Sequence, residues 1–181
     1  MAHATAPQRY SSIAILLHWL IAIGVFVMIG LGWYMTGIPK GTPDRAFWFN
    51  LHKSIGVTIG VLVLVRIWWR LTHLPPALPT SMPPWERTAA RVSHGLLYAC
   101  LIVMPLVGFL GSNFTKYGVK YFGLQVGPFF PENQALRDGL QEVHEITSFV
   151  LVAVVVVHIL AAFKHLVLDK DNVFQRMLPG R

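Results

Sequence analysis

Four long apolar runs, separated by polar or proline-rich stretches, organise this chain. They cover residues 13–35, 47–71, 92–115 and 146–163. The first, third and fourth carry no Asp, Glu, Lys or Arg. The second carries Lys53 near its start and Arg66 and Arg70 near its end, close enough to an interface for the side chains to snorkel. A helix needs about 20 apolar residues to cross a bilayer, and the fourth run reaches that length once its flanking histidines are counted. The pattern predicts an all-α, four-helix transmembrane bundle in a single membrane domain over 1–181, with helices at about 11–36, 46–71, 88–113 and 140–168. Trp33, Tyr34, Trp48, Trp68 and Trp69 sit at run ends, where an aromatic belt meets the headgroups. Pro105 falls inside the third run, and a membrane helix tolerates it with a kink.

Between the runs, the stretch with Pro75, Pro76, Pro79, Pro83 and Pro84 reads as an extended linker. Residues 116–142 read as a loop rich in Gly, Phe and Pro. The first run is too long for a signal-peptide core and is followed by a poor cleavage site, so it is expected to remain as a helix.

Composition agrees with lipid as the main solvent. Of 181 residues, 54% are hydrophobic and 13% charged, against about 25% charged in soluble domains. The net charge is +7. A nucleic-acid binder would gather that charge on one folded face. Here it lies between the apolar runs, facing anionic headgroups, so no nucleic-acid partner is expected. Arg9, Arg66, Arg70, Arg87, Arg91, Lys164, Lys170, Arg176 and Arg181 fall on one side of the bundle. Lys40, Arg45, Lys53, Lys116, Lys120 and Arg137 fall on the other. The excess puts both termini inside. One cysteine, Cys100, excludes an intrachain disulfide, a C-x-x-C-H haem attachment and a four-thiolate cluster.

The chemistry lies in the eight histidines. His3 and His73 fall in polar or proline-rich stretches and are expected to be solvated. The other six lie in the apolar runs or at their ends, where an ionisable side chain is a functional signal. His144 and His158 are 14 residues apart, which puts them on one helix face about 21 Å apart along the axis. One metal cannot bridge them, but two stacked cofactors can each use one. Helix direction then sets the partners. His18 and His158 share the inner depth, and His52 and His144 share the outer depth. His94 opens the third helix at the inner side and competes with His18. Each pair joins two different helices, as a bis-histidine haem requires. Zinc would need more ligands at one depth, and no Cys, Asp or Glu lies mid-membrane to supply them. Gly56 and Gly60, one and two turns beyond His52, offer a groove for a porphyrin or a helix-packing contact.

These residues resemble the bacterial cytochrome b561 family of four-helix dihaem membrane proteins, over about residues 10–179. The resemblance is carried by Tyr10-Ser11-Ser12-Ile13-Ala14-Ile15-Leu16-Leu17-His18-Trp19-Leu20, by His52-Lys53-Ser54-Ile55-Gly56 and by Val65-Arg66-Ile67-Trp68-Trp69-Arg70. His94-Gly95-Leu96-Leu97-Tyr98, Met104-Pro105-Leu106-Val107-Gly108, His144-Glu145, the stretch from His158 to His165, and Lys170-Asp171-Asn172 complete it. It implies two haem b groups, with His18, His52, His144 and His158 as the axial ligands of the haem irons. It implies electron exchange between superoxide at the periplasmic face and ubiquinone in the bacterial inner membrane, with both termini cytoplasmic. His165 matches the family position implicated in quinone contact, with Lys164 beside it where a second histidine can occur. The family also includes haem subunits of hydrogenases and formate dehydrogenases, so a haem-b anchor serving a soluble dehydrogenase or hydrogenase is the alternative. Lys53, Lys116 and Lys120 near the outer entrance suit the attraction of an anion. Arg9, Arg66 and Arg91 at helix ends suit haem propionates or plain headgroup anchoring.

Overall fold

The computed structural model describes residues 9–180; His3 and Arg181 lie outside the described residues. Four helices, each long and apolar enough to cross a membrane, dominate it. They are α1 (Ser12–Gly37), α2 (Pro43–Thr72), α3 (Pro84–Asn113) and α4 (Gln134–Lys164). A short hairpin, β1 (Val119–Tyr121) and β2 (Leu124–Val126), lies between α3 and α4. A π-helical turn, His165–Asp169, extends α4, and a 3-10 turn, Phe174–Met177, follows it.

The helices form because their apolar stretches are long, and they start where the chain supplies a cap. The Ser11 side chain accepts from the Ala14 amide at the head of α1. The Asn133 side chain accepts from the Leu136 amide at the head of α4. Pro43 and Pro84 stand in the first turns of α2 and α3, where a missing N–H costs nothing. Three helices therefore begin earlier than the apolar pattern suggests. Pro84 opens α3 instead of closing the linker. Gln134 opens α4 six residues ahead of the expected 140, through a polar turn that needs no lipid.

The core is narrow. Ile21, Val25, Ile59, Val63, Cys100 and Leu151 form it, one or two from each helix. Much of the remaining apolar surface faces outward, including Leu20, Phe26, Phe149 and Leu160, the last 64% exposed. In a soluble protein that surface would be an aggregation hazard; around a membrane bundle it is the lipid contact. The glycines of α2 serve this packing. A Cβ on Gly56 would meet Met28 Cε of α1 at 3.2 Å, and one on Gly60 would meet Pro105 of α3 at 3.1 Å. Of the two roles open to Gly56 and Gly60, both glycines make the helix-packing contact, against Met28 and Pro105.

The two ends of the bundle are tied differently. At one end Lys164 pairs with Glu86 at 2.8 Å, Arg176 donates to the Ala77 carbonyl, and the Trp19 indole donates to the Met177 carbonyl. The start of α1, the end of α2, the start of α3 and the end of α4 therefore share that end. At the other end the expected loop 116–142 contains the hairpin. Its two-residue turn, Phe122 and Gly123, takes positive φ at both positions, the geometry that matches strand twist. Ser54, 2% exposed, accepts from the Phe122 amide and donates to the Lys120 carbonyl. Thr58 meets the Tyr121 hydroxyl at 3.2 Å, and Lys53 donates to the Gly118 carbonyl. The hairpin is thereby docked on α2 within two turns of His52.

Candidate haem sites of the bundle

Six histidines lie on the helices, and five of them converge in two groups. At the hairpin end, His52 of α2 faces His144 of α4, with ring centres 6.3 Å apart. At the opposite end, His18 of α1 faces His158 of α4, again 6.3 Å apart. His94 of α3 also approaches His158, at 5.5 Å. The sixth, His165, stands away from both groups in the π-helical turn after α4.

The spacing has a chemical meaning. A metal bonded to one nitrogen of each of two facing imidazoles sits about 2 Å from each, and with ~1.15 Å more to each ring centre the centres stand about 6.3 Å apart. Both cross-helix pairs have this separation. His94 lies inside it. The spacing also arises between different helices, so neither pair follows from local sequence.

The surroundings of the outer pair, His52 and His144, fit a ligand role. His144 Nδ1 lies 3.1 Å from the Met104 carbonyl oxygen. A carbonyl only accepts, so Nδ1 carries the proton and Nε2 is left with its lone pair, the second-shell arrangement of metal-bound histidines. Gly108, one turn beyond Met104, makes the approach possible. A Cβ there would stand 3.4 Å from His144 Nδ1 and Cε1. Across the site, Gly32 of α1 faces His52; its added Cβ would lie 3.6 Å from His52 Cε1. His52 Nδ1 is buried without a hydrogen-bond partner. An imidazole nitrogen in apolar surroundings with an unmet bond is costly in a protein that holds nothing there. Among the described residues the donor set at each pair is nitrogen alone, with no thiolate or carboxylate, which suits a haem iron better than a closed zinc site.

Residues 9–180 match the sequence family described as prokaryotic cytochrome b561. The chain belongs to that family. As a cytochrome b561 it is a multi-pass membrane protein of electron transfer, and the family implies b-type haem. Among its relatives, cytochrome b561 homolog 2 of Escherichia coli (strain K12) is 32% identical, covering 98% of this chain and 95% of the relative. Cytochrome b561 homolog 1 of the same strain is 27% identical, covering 96% and 99%. A Yersinia pestis protein named probable superoxide oxidase CybB is 28% identical, covering 96% and 98%.

The surroundings of His165 in this cytochrome b561 were not visible in the sequence. Its Nδ1 lies 2.8 Å from Asp171 Oδ2 and 3.1 Å from Asp169 Oδ2. Lys164 bridges Glu86 and Asp169 at 2.8 and 2.6 Å. The π-helical turn makes this possible, because its wider register swings the following chain back toward the imidazole, and Lys170 and Asn172 take left-handed conformations to complete the reversal. The pairing of Lys170-Asp171-Asn172 with a histidine was the available signal. The Met104 carbonyl had a fainter one, a glycine four residues on that strips one turn of its side chain.

Proposed function

We propose that this chain is a two-haem electron conductor of the bacterial inner membrane, with both termini cytoplasmic. His52 and His144 would hold one haem on the periplasmic side, and His18 and His158 a second on the cytoplasmic side. The observation that carries this reading is the equal 6.3 Å spacing of the two cross-helix pairs. They lie 14 residues apart on one continuous helix, or about 21 Å.

Haem b, when bound, supplies reversible one-electron chemistry. The residues determine how it is used. With two histidines given to each iron, the pairs would favour electron transfer over oxygen binding. The Met104 carbonyl fixes the orientation of His144. Helix α4 supplies one ligand to each site and so fixes the spacing between them. His94 stands beside the inner pair, closer to His158 than the ligand spacing.

The donor proposed for the outer side is superoxide, and the acceptor is ubiquinone. Two superoxide anions are oxidised to two O2, and the two electrons with two protons convert ubiquinone to ubiquinol. The name of the Yersinia pestis relative supports the donor. Lys53, Lys116 and Lys120 lie near the outer end of α2 and around the hairpin, where cationic charge draws an anion inward. For the acceptor, His165 is the proposed quinone contact. Asp171 and Asp169 hold the proton at Nδ1, and Nε2 is the atom that exchanges a proton with the quinone.

The test is rapid mixing of the purified holoprotein with superoxide, then with ubiquinone. Reduction of the haem bands by superoxide and reoxidation by ubiquinone are expected. Reduction only by a soluble dehydrogenase, with none by superoxide, would transfer the protein to the anchor-subunit reading.

A further inference from the structure

A cleft of about 240 Å³ opens at the end of the bundle that holds His18 and His158, between the starts of α1 and the end of α2. Arg66 and Arg70 line it, one turn apart on α2, with Ser11 and Tyr98 beside them. Each guanidinium has five N–H donors. Arg66 spends one, on the Ala14 carbonyl at 2.6 Å. Arg70 lies over the Tyr98 ring at 5.8 Å. Among the described residues no carboxylate forms an ion pair with either. Arg66 is within electrostatic reach of His18, His94 and His158, and Arg70 of His94.

Arg66, half-buried at the edge of the membrane core with donors unspent and no paired carboxylate among the described residues, is costly unless an anion joins it, and the exposed Arg70 stands one turn away to share that anion. The remaining donors match planar or tetrahedral oxyanions, which bind arginine in bidentate fashion. Arg66 links the cleft to the inner histidine pair, both members of which lie within its electrostatic reach. We propose that it is an oxyanion site that takes the propionate carboxylates of the inner haem, with Arg66 as the principal anchor and Arg70 as the second. The inference rests on the two-haem reading above. A phospholipid headgroup shares this oxyanion chemistry and is the rival occupant.

The site predicts a potential as well as a fit. Reduction adds an electron, and a cation beside the haem favours the reduced state. Removing that cation lowers the midpoint. The experiment is a redox titration of the holoprotein and its Arg66→Gln/Arg70→Gln variant, in vesicles of phosphatidylcholine alone and of phosphatidylcholine with phosphatidylglycerol. The inner haem is identified as the transition missing from His158→Ala protein. Expected is a drop of about tenfold in that haem's reduction equilibrium, or about 59 mV for one electron. The drop is the same in both vesicles, and the other transition does not move. A drop confined to phosphatidylglycerol vesicles assigns the cleft to a lipid headgroup and overturns the proposal, as does no drop in either. Should the double variant fail to accumulate, Arg70→Gln, at an exposed position, decides. It is expected to lower the same transition, while Arg66→Lys leaves it nearly in place. An unmoved midpoint in Arg70→Gln overturns the proposal. A wild-type protein with fewer than two haems would instead refute the reading on which this rests.

Discussion

His144 of α4 donates from Nδ1 to the backbone carbonyl of Met104 on α3, at 3.1 Å. The bond crosses between the two helices and leaves Nε2 as the only ring nitrogen able to bind a metal. Gly108 packs against the same ring, where a methyl would stand at ordinary contact distance and a branched side chain would crowd the ring away from the carbonyl.

Gly108→Val is therefore expected to displace the His144 ring and weaken the outer haem about 10- to 100-fold, the usual cost of disturbing a second-shell contact. Gly108→Ala, whose Cβ stands at ordinary contact distance from the ring, is expected to keep the haem. Haem content after purification at limiting haem supply checks both variants.

His94 and His18 both approach His158, and the two assignments separate cleanly. His18→Ala is expected to lose the inner haem. His94→Ala is expected to retain two haems with unchanged low-spin spectra. The absorption spectrum and a pyridine haemochrome assay read this directly. Loss of a haem in His94→Ala with none lost in His18→Ala would exchange the two residues.

Gly60 and Gly56 differ in what they face. A Cβ at Gly60 meets the ring of Pro105, which cannot swing aside, whereas one at Gly56 meets the flexible end of Met28. Gly60→Ala is expected to destabilise the bundle by about 1–3 kcal/mol, and Gly56→Ala by less. Thermal unfolding in detergent compares them, and equal losses would remove the proline contact as the cause.

His165 and Asp171 form a dyad at the end of α4. Asp171→Asn is expected to slow reoxidation by ubiquinone while leaving the haem count and the reduction by superoxide unchanged. His165→Ala is expected to have the larger effect on the same step. Reoxidation rates across pH measure it. Unchanged rates in both variants would remove this end of α4 from quinone chemistry.

The transmembrane helices were legible because lipid allows few alternatives. A run of about 20 apolar residues must satisfy its own backbone, and a helix does so. The polar turns that extend α3 back to Pro84 and α4 back to Gln134 lie outside that constraint, so hydropathy missed them. The facing of His18 with His158 and of His52 with His144 was legible for a related reason. Alternating helix directions fix the depth of every residue, and depth limits which histidines can meet. Side-chain packing was not. In the sequence a glycine that makes a groove reads the same as one that receives a neighbour, so Gly56 and Gly60 stand out one and two turns from His52, while Gly32 and Gly108, which face the rings, lie on other helices than the histidines they meet. The hairpin on α2 was hidden as well. Its three-residue strands are too short to show an alternating pattern, and it is held by Ser54 and Thr58 on another helix. The carboxylates at His165 depend on a π-helical turn, whose register a regular helical wheel does not anticipate.

The central claim is that α4 gives one ligand to each of two haems. The pyridine haemochrome assay on wild type, His144→Ala and His158→Ala tests it most directly. The account predicts two haems per chain in wild type and one in each variant, with the surviving haem different in the two. A wild type with one haem, or variants that both keep two, would contradict it.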